Sequence, residues 1–187
     1  MGKQIWTYIS LTIVASSSWL VANWITPKPE VKPTQVLHRL DSFSEYFTKT
    51  VMNPDGTPKH KLSADSMLHY NDDKSTKLEK PQLIFFVDDE PPWTIRSDTG
   101  YATSDGKTIF LGGNVFISRP EAPSVYPVDI VTKNLTINPK INYAETDEFA
   151  ELISNSYQIS GIGLNVYFGL TKKVTLLSNV RGKYANP

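Results

Sequence analysis

The sequence predicts an all-β domain behind one membrane-spanning helix. Three observations carry that prediction: a long uncharged N-terminal window, a hairpin unit turning at Asp105-Gly106, and the return of that unit's phrases elsewhere in the chain. β-Branched and aromatic residues are prominent within a 40% apolar composition, which suits strands and supplies a core. At 187 residues the chain holds one domain of ordinary size plus a tail.

No Lys, Arg, Asp or Glu occurs from Gln4 to Pro27. As a helix, Ile5 to Ile25 would span roughly 31 Å at about 1.5 Å per residue, close to a bilayer core. Trp6 and Tyr8 lie towards one end and Trp19 and Trp24 towards the other, the aromatic-belt arrangement. Pro27 stops the helix. A cleaved signal peptide fits less well, because the apolar run is long and no clean small-x-small cleavage site follows. The expected division is 1–4 cytoplasmic, 5–25 transmembrane, 26–40 a Pro-rich linker and 41–187 an exported β domain. Hydroxyls are frequent in the span, and Ser16, Ser17 and Ser18 form the candidate face for docking against other transmembrane helices. A lone anchor is the plainer alternative.

The organising stretch of the β domain is Trp93 to Arg119. It predicts a strand over Thr94–Ser97, a break at Gly100, a tight turn at Asp105-Gly106 and a long apolar return through Ile109, Leu111, Val115 and Ile117. Worn copies follow. Ser63-Ala64-Asp65 matches Ser97-Asp98, and Leu111-Gly112-Gly113-Asn114-Val115 matches Leu176-Leu177-Ser178-Asn179-Val180. Thr132-Lys133-Asn134 opens another copy. Hairpins about 30 residues apart imply a stacked or rolled β architecture.

In chain order, Ser42–Met52 alternates, with Phe43, Phe47 and Val51 on one face and Tyr46 on the other. Asn53-Pro54-Asp55-Gly56 is a turn in which Gly56 permits the left-handed residue. Lys59–Tyr70 returns with Leu62, Ala64, Leu68 and Tyr70 in phase. Leu78–Val87 is a strand interrupted by Pro81, as at an edge or bulge. Asp88–Pro92 reads as a loop and Pro120–Pro127 as an irregular crossing. Strands follow at Ile130–Ile137, Ile141–Glu145, Phe149–Ile153, Ser156–Ile159 and Ile162–Phe168, and the last is Val174–Tyr184. Nothing after residue 40 keeps a helical period.

Charge is balanced, 19 basic against 19 acidic residues, which argues against nucleic acid. Cysteine is absent, excluding thiol catalysis and disulfides. His38, His60 and His69 are too dispersed for a zinc site, so no metal and no cofactor is expected. Asp72-Asp73 and Asp88-Asp89-Glu90 read as solvated turns. No nucleophile elbow, phosphate loop or dinucleotide fingerprint is present, so no enzyme is expected.

Taken together, the N-terminal anchor, NPDG followed by LSAD, Leu-Glu-Lys-Pro-x-Leu, PWTIRSD, the Gly-Asn-Val strand, AETDE, GIGL and the closing LLSNVRGKY resemble the LptC family across essentially the whole chain. The extra Gly112 before the Gly-Asn-Val phrase departs from the family pattern, and Gly56 falls on its turn glycine. The resemblance implies an open, twisted antiparallel β-jellyroll in the periplasm, of the kind shared with LptA. It implies contact of the helix with the LptB, LptF and LptG transporter, and end-to-end stacking with the LptA-type bridge protein. Lipopolysaccharide is the implied cargo.

An open sheet leaves two free edges for strand addition. The expected edges are Ser42–Met52, meeting the transporter through Phe43, Phe47 and Val51, and Val174–Tyr184, meeting the bridge protein through Leu177, Val180 and Tyr184. The expected lipid trough is Phe47, Leu62, Leu78, Ile84, Phe86, Leu111, Val115, Leu164, Val174, Leu176 and Tyr184. The same residues would pack as ordinary core in a closed sandwich. A membrane-anchored adaptor that recruits a β partner by edge pairing alone is the alternative function.

Overall fold

The computed structural model describes residues 2–25, 40–87, 90–123, 125–155, 157–169 and 173–184. The predicted linker to residue 39, with His38, and the segments Asp88-Asp89, Ser156 and Thr171-Lys172 lie outside the described residues. The chain divides into a helical unit, Met1–Leu37, and a β unit, His38–Pro187.

Helix α1 runs Gly2–Ile25, and its Gln4–Ala22 stretch has a mean hydropathy of 1.4, long and apolar enough to cross a membrane. Its hydroxyls turn back onto their own helix. Thr7 donates to the Gln4 carbonyl at 2.7 Å, Ser16 to Thr12 at 2.8 Å and Ser17 to Val14 at 2.9 Å. That bonding answers the donors of those hydroxyls without a partner helix, as an apolar surrounding requires.

Among the described residues the β unit is one 10-stranded antiparallel sheet: β1 Leu40–Met52, β2 Pro58–Tyr70, β3 Thr76–Glu79, β4 Gln82–Val87, β5 Glu90–Ala102, β6 Ile109–Arg119, β7 Val128–Asn138, β8 Tyr143–Ser154, β9 Tyr157–Tyr167 and β10 Lys173–Tyr184. The order follows the chain, with β3 and β4 end to end between β2 and β5. Strands β1 and β10 close the two ends.

Several predicted boundaries shift. The Leu78–Val87 strand splits at Lys80-Pro81, because proline cannot donate to the ladder and Lys80 takes a φ of 45°. Glu90-Pro91-Pro92 is strand, its prolines preceding the first pair with β6 at Thr94. Gly100 is no break. It lies opposite Leu78 and Leu111, and a Cβ there would stand 2.9 Å from the Pro81 ring and 3.3 Å from Leu78. Glycine lets Pro81 and Leu78 close over that point. Residues 120–127 connect the neighbouring strands β6 and β7 rather than crossing the sheet. The two predicted pieces before Ser154 form one strand, β8, and those after it form β9.

The repeated phrases mark a bend. Tyr46, Lys80, Gly113, Asn134, Gly163 and Asn179 all have positive φ, between 45° and 81°. Register shifts fall at Ser97/Thr99, Leu111/Asn114, Val131/Thr136, Thr146/Phe149 and Ser178/Arg181. These bulges form a line across the sheet, so each long strand gives one half to each of two layers. The ladder groups freed by the bulges find side chains. Buried Ser97, Thr132 and Thr146 donate to the carbonyls of Thr99, Phe149 and Lys133, each at 2.9 Å. Asp98 accepts from the Asn114 N–H at 2.9 Å, and Asn134 donates to Glu148 at 2.9 Å.

The layers meet through the core. Leu62, Leu83, Ile95, Ile117 and Ile130 make one continuous cross-strand row. Ile109, Ile137, Ala144 and Val166 make another beyond the bend. Phe85 of β4 stacks on Phe168 after β9, ring centroids 4.8 Å apart, although their strands are far apart in the sheet order. Trp93 meets Phe168 edge-on at 5.5 Å.

Two substitutions check this account. Gly113→Val forces a branched residue to φ 81° and drives its Cβ into the Asp98 carboxylate. It should lower Tm more than Gly106→Ala, which takes a similar φ in open space and costs about 1 kcal/mol. Val115→Ala removes two buried methyls at a site with 0% exposure and should cost about 2 kcal/mol, roughly 4–8 °C in a thermal melt.

Candidate functional site

The bend decides which face each residue takes. Leu62, Leu78, Leu111, Val115 and Leu164, all expected to line a trough, are buried in the packed interior. Phe47, Val174 and Leu176 are half-buried and pack on its margins. Ile84 and Phe86 are corrections. The inward residues of β4 are Leu83 and Phe85, each 1% exposed, while Phe86 is 38% exposed. Ile84 is flanked by Lys61 and Thr94 on the outer face. The break at Pro81 reset the strand's phase. Tyr184 lies outside the buried interior, packed on Tyr157 at 5.0 Å where β10 ends.

Phe43, Phe47 and Val51 do not share a face, a second correction. Phe43 is opposite Leu68 on the outer side and exposed, whereas Phe47 is opposite buried Ala64. Tyr46 sits at the bend between them, with a φ of 53°, and the alternation restarts there. Leu68 therefore leaves the Leu62–Ala64 face for the same reason. Leu177 and Val180 are exposed on the terminal strand β10, and the side chains of Ser16, Ser17 and Ser18 are exposed on α1. Among the described residues both sheet ends, β1 and β10, have one neighbour each.

Gly56 holds the turn beside one end of the interior. Its φ is 86°, its N–H donates to the Asn53 carbonyl at 3.0 Å, and the Thr57 N–H donates to the Asp55 carboxylate at 2.9 Å. The Thr57 hydroxyl and N–H hold the Asp55 pKa below its usual value.

Next to that turn the interior opens. A cavity of about 210 Å³ lies between the layers, walled by Val51, Leu62 and Leu83 on one side and Ala102, Ile109 and Pro139 on the other. Lys49, His60, Gly106 and Lys140 complete its lining. Burial, then the charges of Lys59 and Lys49, push the His60 pKa below its ordinary 6.5, and its Nδ1 is buried without a hydrogen-bond partner. Sequence alternation pointed to Val51 and Leu62 but missed the rest, because the opposite wall comes from residues beyond the bend. A larger cleft, about 460 Å³, lies on the outer face against Leu68, Lys77, Tyr101 and Phe110. Among the described residues no cluster of His, Cys, Asp and Glu could hold a metal ion.

His60 gives a pH test. Its folded pKa is depressed, so its contribution to stability is complete above about pH 6.5 and is lost as pH falls through the folded value. Thermal melts between about pH 7.5 and about pH 5 should show a smaller acid loss for His60→Gln than for the parent chain. Equal losses would place the pH sensitivity elsewhere.

The comparisons with known proteins give a family and a fold. The family described as "Lipopolysaccharide-assembly, LptC-related" matches residues 9–185. The lipopolysaccharide export system protein LptC of Escherichia coli K12 is 25% identical over 142 residues, covering 75% of this chain and 73% of that protein. The Shigella flexneri protein of the same name matches equally. In fold, the chain is similar to the crystal structure of LptH, described as the LptA-homologous periplasmic component of the lipopolysaccharide transport device of Pseudomonas aeruginosa. That likeness has a TM-score of 0.53 at 9% identity, over 68% of this chain and 95% of LptH. The bent antiparallel sheet is thus the LptA-like β-jellyroll, the apolar helix precedes it, and the chain belongs to the LptC family.

Proposed function

We propose that this chain is the membrane-anchored bridge component of lipopolysaccharide export. It receives lipopolysaccharide from an ABC transporter and passes it, acyl chains against the interior of the β domain, to a periplasmic bridge protein for outer-membrane assembly. It is a transport component and not an enzyme. The observation that carries the reading is an apolar interior bounded, among the described residues, by two free strand edges and opening beside one of them, β1. Acyl chains inside that interior avoid water, whose contact costs about 0.8 kcal/mol per CH₂.

Helix α1 crosses the inner membrane, with residues 1–4 cytoplasmic, 26–40 as linker and 41–187 in the periplasm. The helix meets LptB, LptF and LptG, as does the β1 edge. The β10 edge, with Leu177 and Val180 exposed, pairs with the LptA-type bridge protein by main-chain hydrogen bonds.

One observation favours the adaptor reading. Five of the expected trough residues, Leu62, Leu78, Leu111, Val115 and Leu164, are at most 9% exposed, so the middle of the interior is filled. Cargo then enters from the β1 side or after the layers part, and a pure adaptor needs neither. Site-specific photocrosslinking from Val51 and Val174, with exposed Asp73 as control, separates the two in membranes supplied with ATP. Lipopolysaccharide adducts that depend on ATP at Val51 and Val174, absent at Asp73, are the expected result. Protein adducts alone would make the chain an adaptor.

A further inference from the structure

The mouth of the interior cavity is basic. Lys49 and Lys140 line it from opposite layers, beside Val51, Leu62 and Ile109. Lys59 ties those layers together, its Nζ donating to the Lys140 carbonyl at 3.2 Å. The Lys59 and Lys49 charges reach His60 on the same wall, where the ring Nδ1 has no partner. The two turn carboxylates on this side are already occupied: Asp55 accepts from the Thr57 N–H at 2.9 Å and its hydroxyl at 2.6 Å, and Asp105 meets the Lys107 ammonium at 3.0 Å and the Thr103 hydroxyl at 2.8 Å. Among the described residues neither Lys49 nor Lys140 forms an ion pair. Two unneutralised ammonium groups therefore flank an apolar slot.

We propose that this rim is an anion subsite for an amphiphile: Lys49 and Lys140 hold a phosphate ester headgroup while the end of its alkyl chain occupies the cavity. The charges match, since two ammoniums balance a phosphate monoester of about −1.5 to −2 at neutral pH. Lysine suits the task as a mobile point charge at an exposed rim. The volume matches as well: about 210 Å³ takes part of one chain and leaves the headgroup outside, at the lysines. A free phosphate would gain nothing from the apolar walls. The inference rests on the lipid reading above and names the chemistry that reading leaves open.

The test uses the full chain in neutral-detergent micelles with two photoreactive probes. Both carry the same diazirine-bearing alkyl chain, one ending in phosphate and the other in hydroxyl. Labelled peptides are mapped by mass spectrometry. The phosphate probe should label the segments holding Val51, Leu62 and Ile109 about tenfold more than the alcohol. Lys49→Gln combined with Lys140→Gln should bring the phosphate probe down to the alcohol's level at an unchanged Tm. Equal labelling by both probes in the parent chain overturns the headgroup subsite and leaves the lipid interior standing. A phosphate advantage that survives in the double variant overturns the assignment to these lysines. Displacement by inorganic phosphate at the probe's own concentration reassigns the rim to a free anion. Absence of labelling by either probe removes the lipid reading too.

Discussion

Everything in the β domain depends on the line of bulges that crosses its sheet. A flat sheet of this size would expose one whole apolar face. Here left-handed residues bend β1, β6, β7, β9 and β10 and the joint between β3 and β4 along one line, and the sheet folds onto itself so that its own halves bury one another. The bend is secured by side chains. Ser97, Thr132 and Thr146 answer carbonyls that the bulges release, and Asp98 and Asn134 bridge neighbouring strands along the line. Unanswered, each such buried group would cost about 1–3 kcal/mol.

From that bend follow the three features that matter for transport. The interior is apolar because both layers turn the same face of the sheet inward, and the Phe85–Phe168 stack joins them. Two strand edges remain because the sheet folds over without closing, which leaves β1 and β10 with one neighbour each among the described residues. The cavity mouth forms where the β1–β2 hairpin meets the turn after β7, so its two walls come from opposite sides of the bend. On the function proposed above, strand addition at either edge extends the same interior into a partner, joining recognition and passage in one geometry.

The helix obeys a separate constraint. Its hydroxyls donate within the helix, which makes a span of modest hydropathy tolerable in lipid and leaves their lone pairs available to a neighbouring helix. The many serines in it are thus consistent with a lone anchor as well as with a docked one.

The sequence by itself determined the class of fold, the anchor, the Gly56 and Gly106 turns and the family, because these rest on local chemistry: apolar length, a glycine at positive φ, and phrases recurring in order. It also contained the bend, since Ser97-Asp98, Gly113-Asn114, Lys133-Asn134 and Ser178-Asn179 all fall on it, but their meaning was not local. A bulge shows itself only when the neighbouring strand's register is known. Alternation therefore held within each half-strand and failed across the bend, placing Phe43 with Phe47 and turning Ile84 and Phe86 inward. Only the tertiary structure decided which face was interior, how far it was filled and which lysines met at its mouth. Lys49 and Lys140 belong to different layers, and folding the sheet about its bulges is what brings them to one rim.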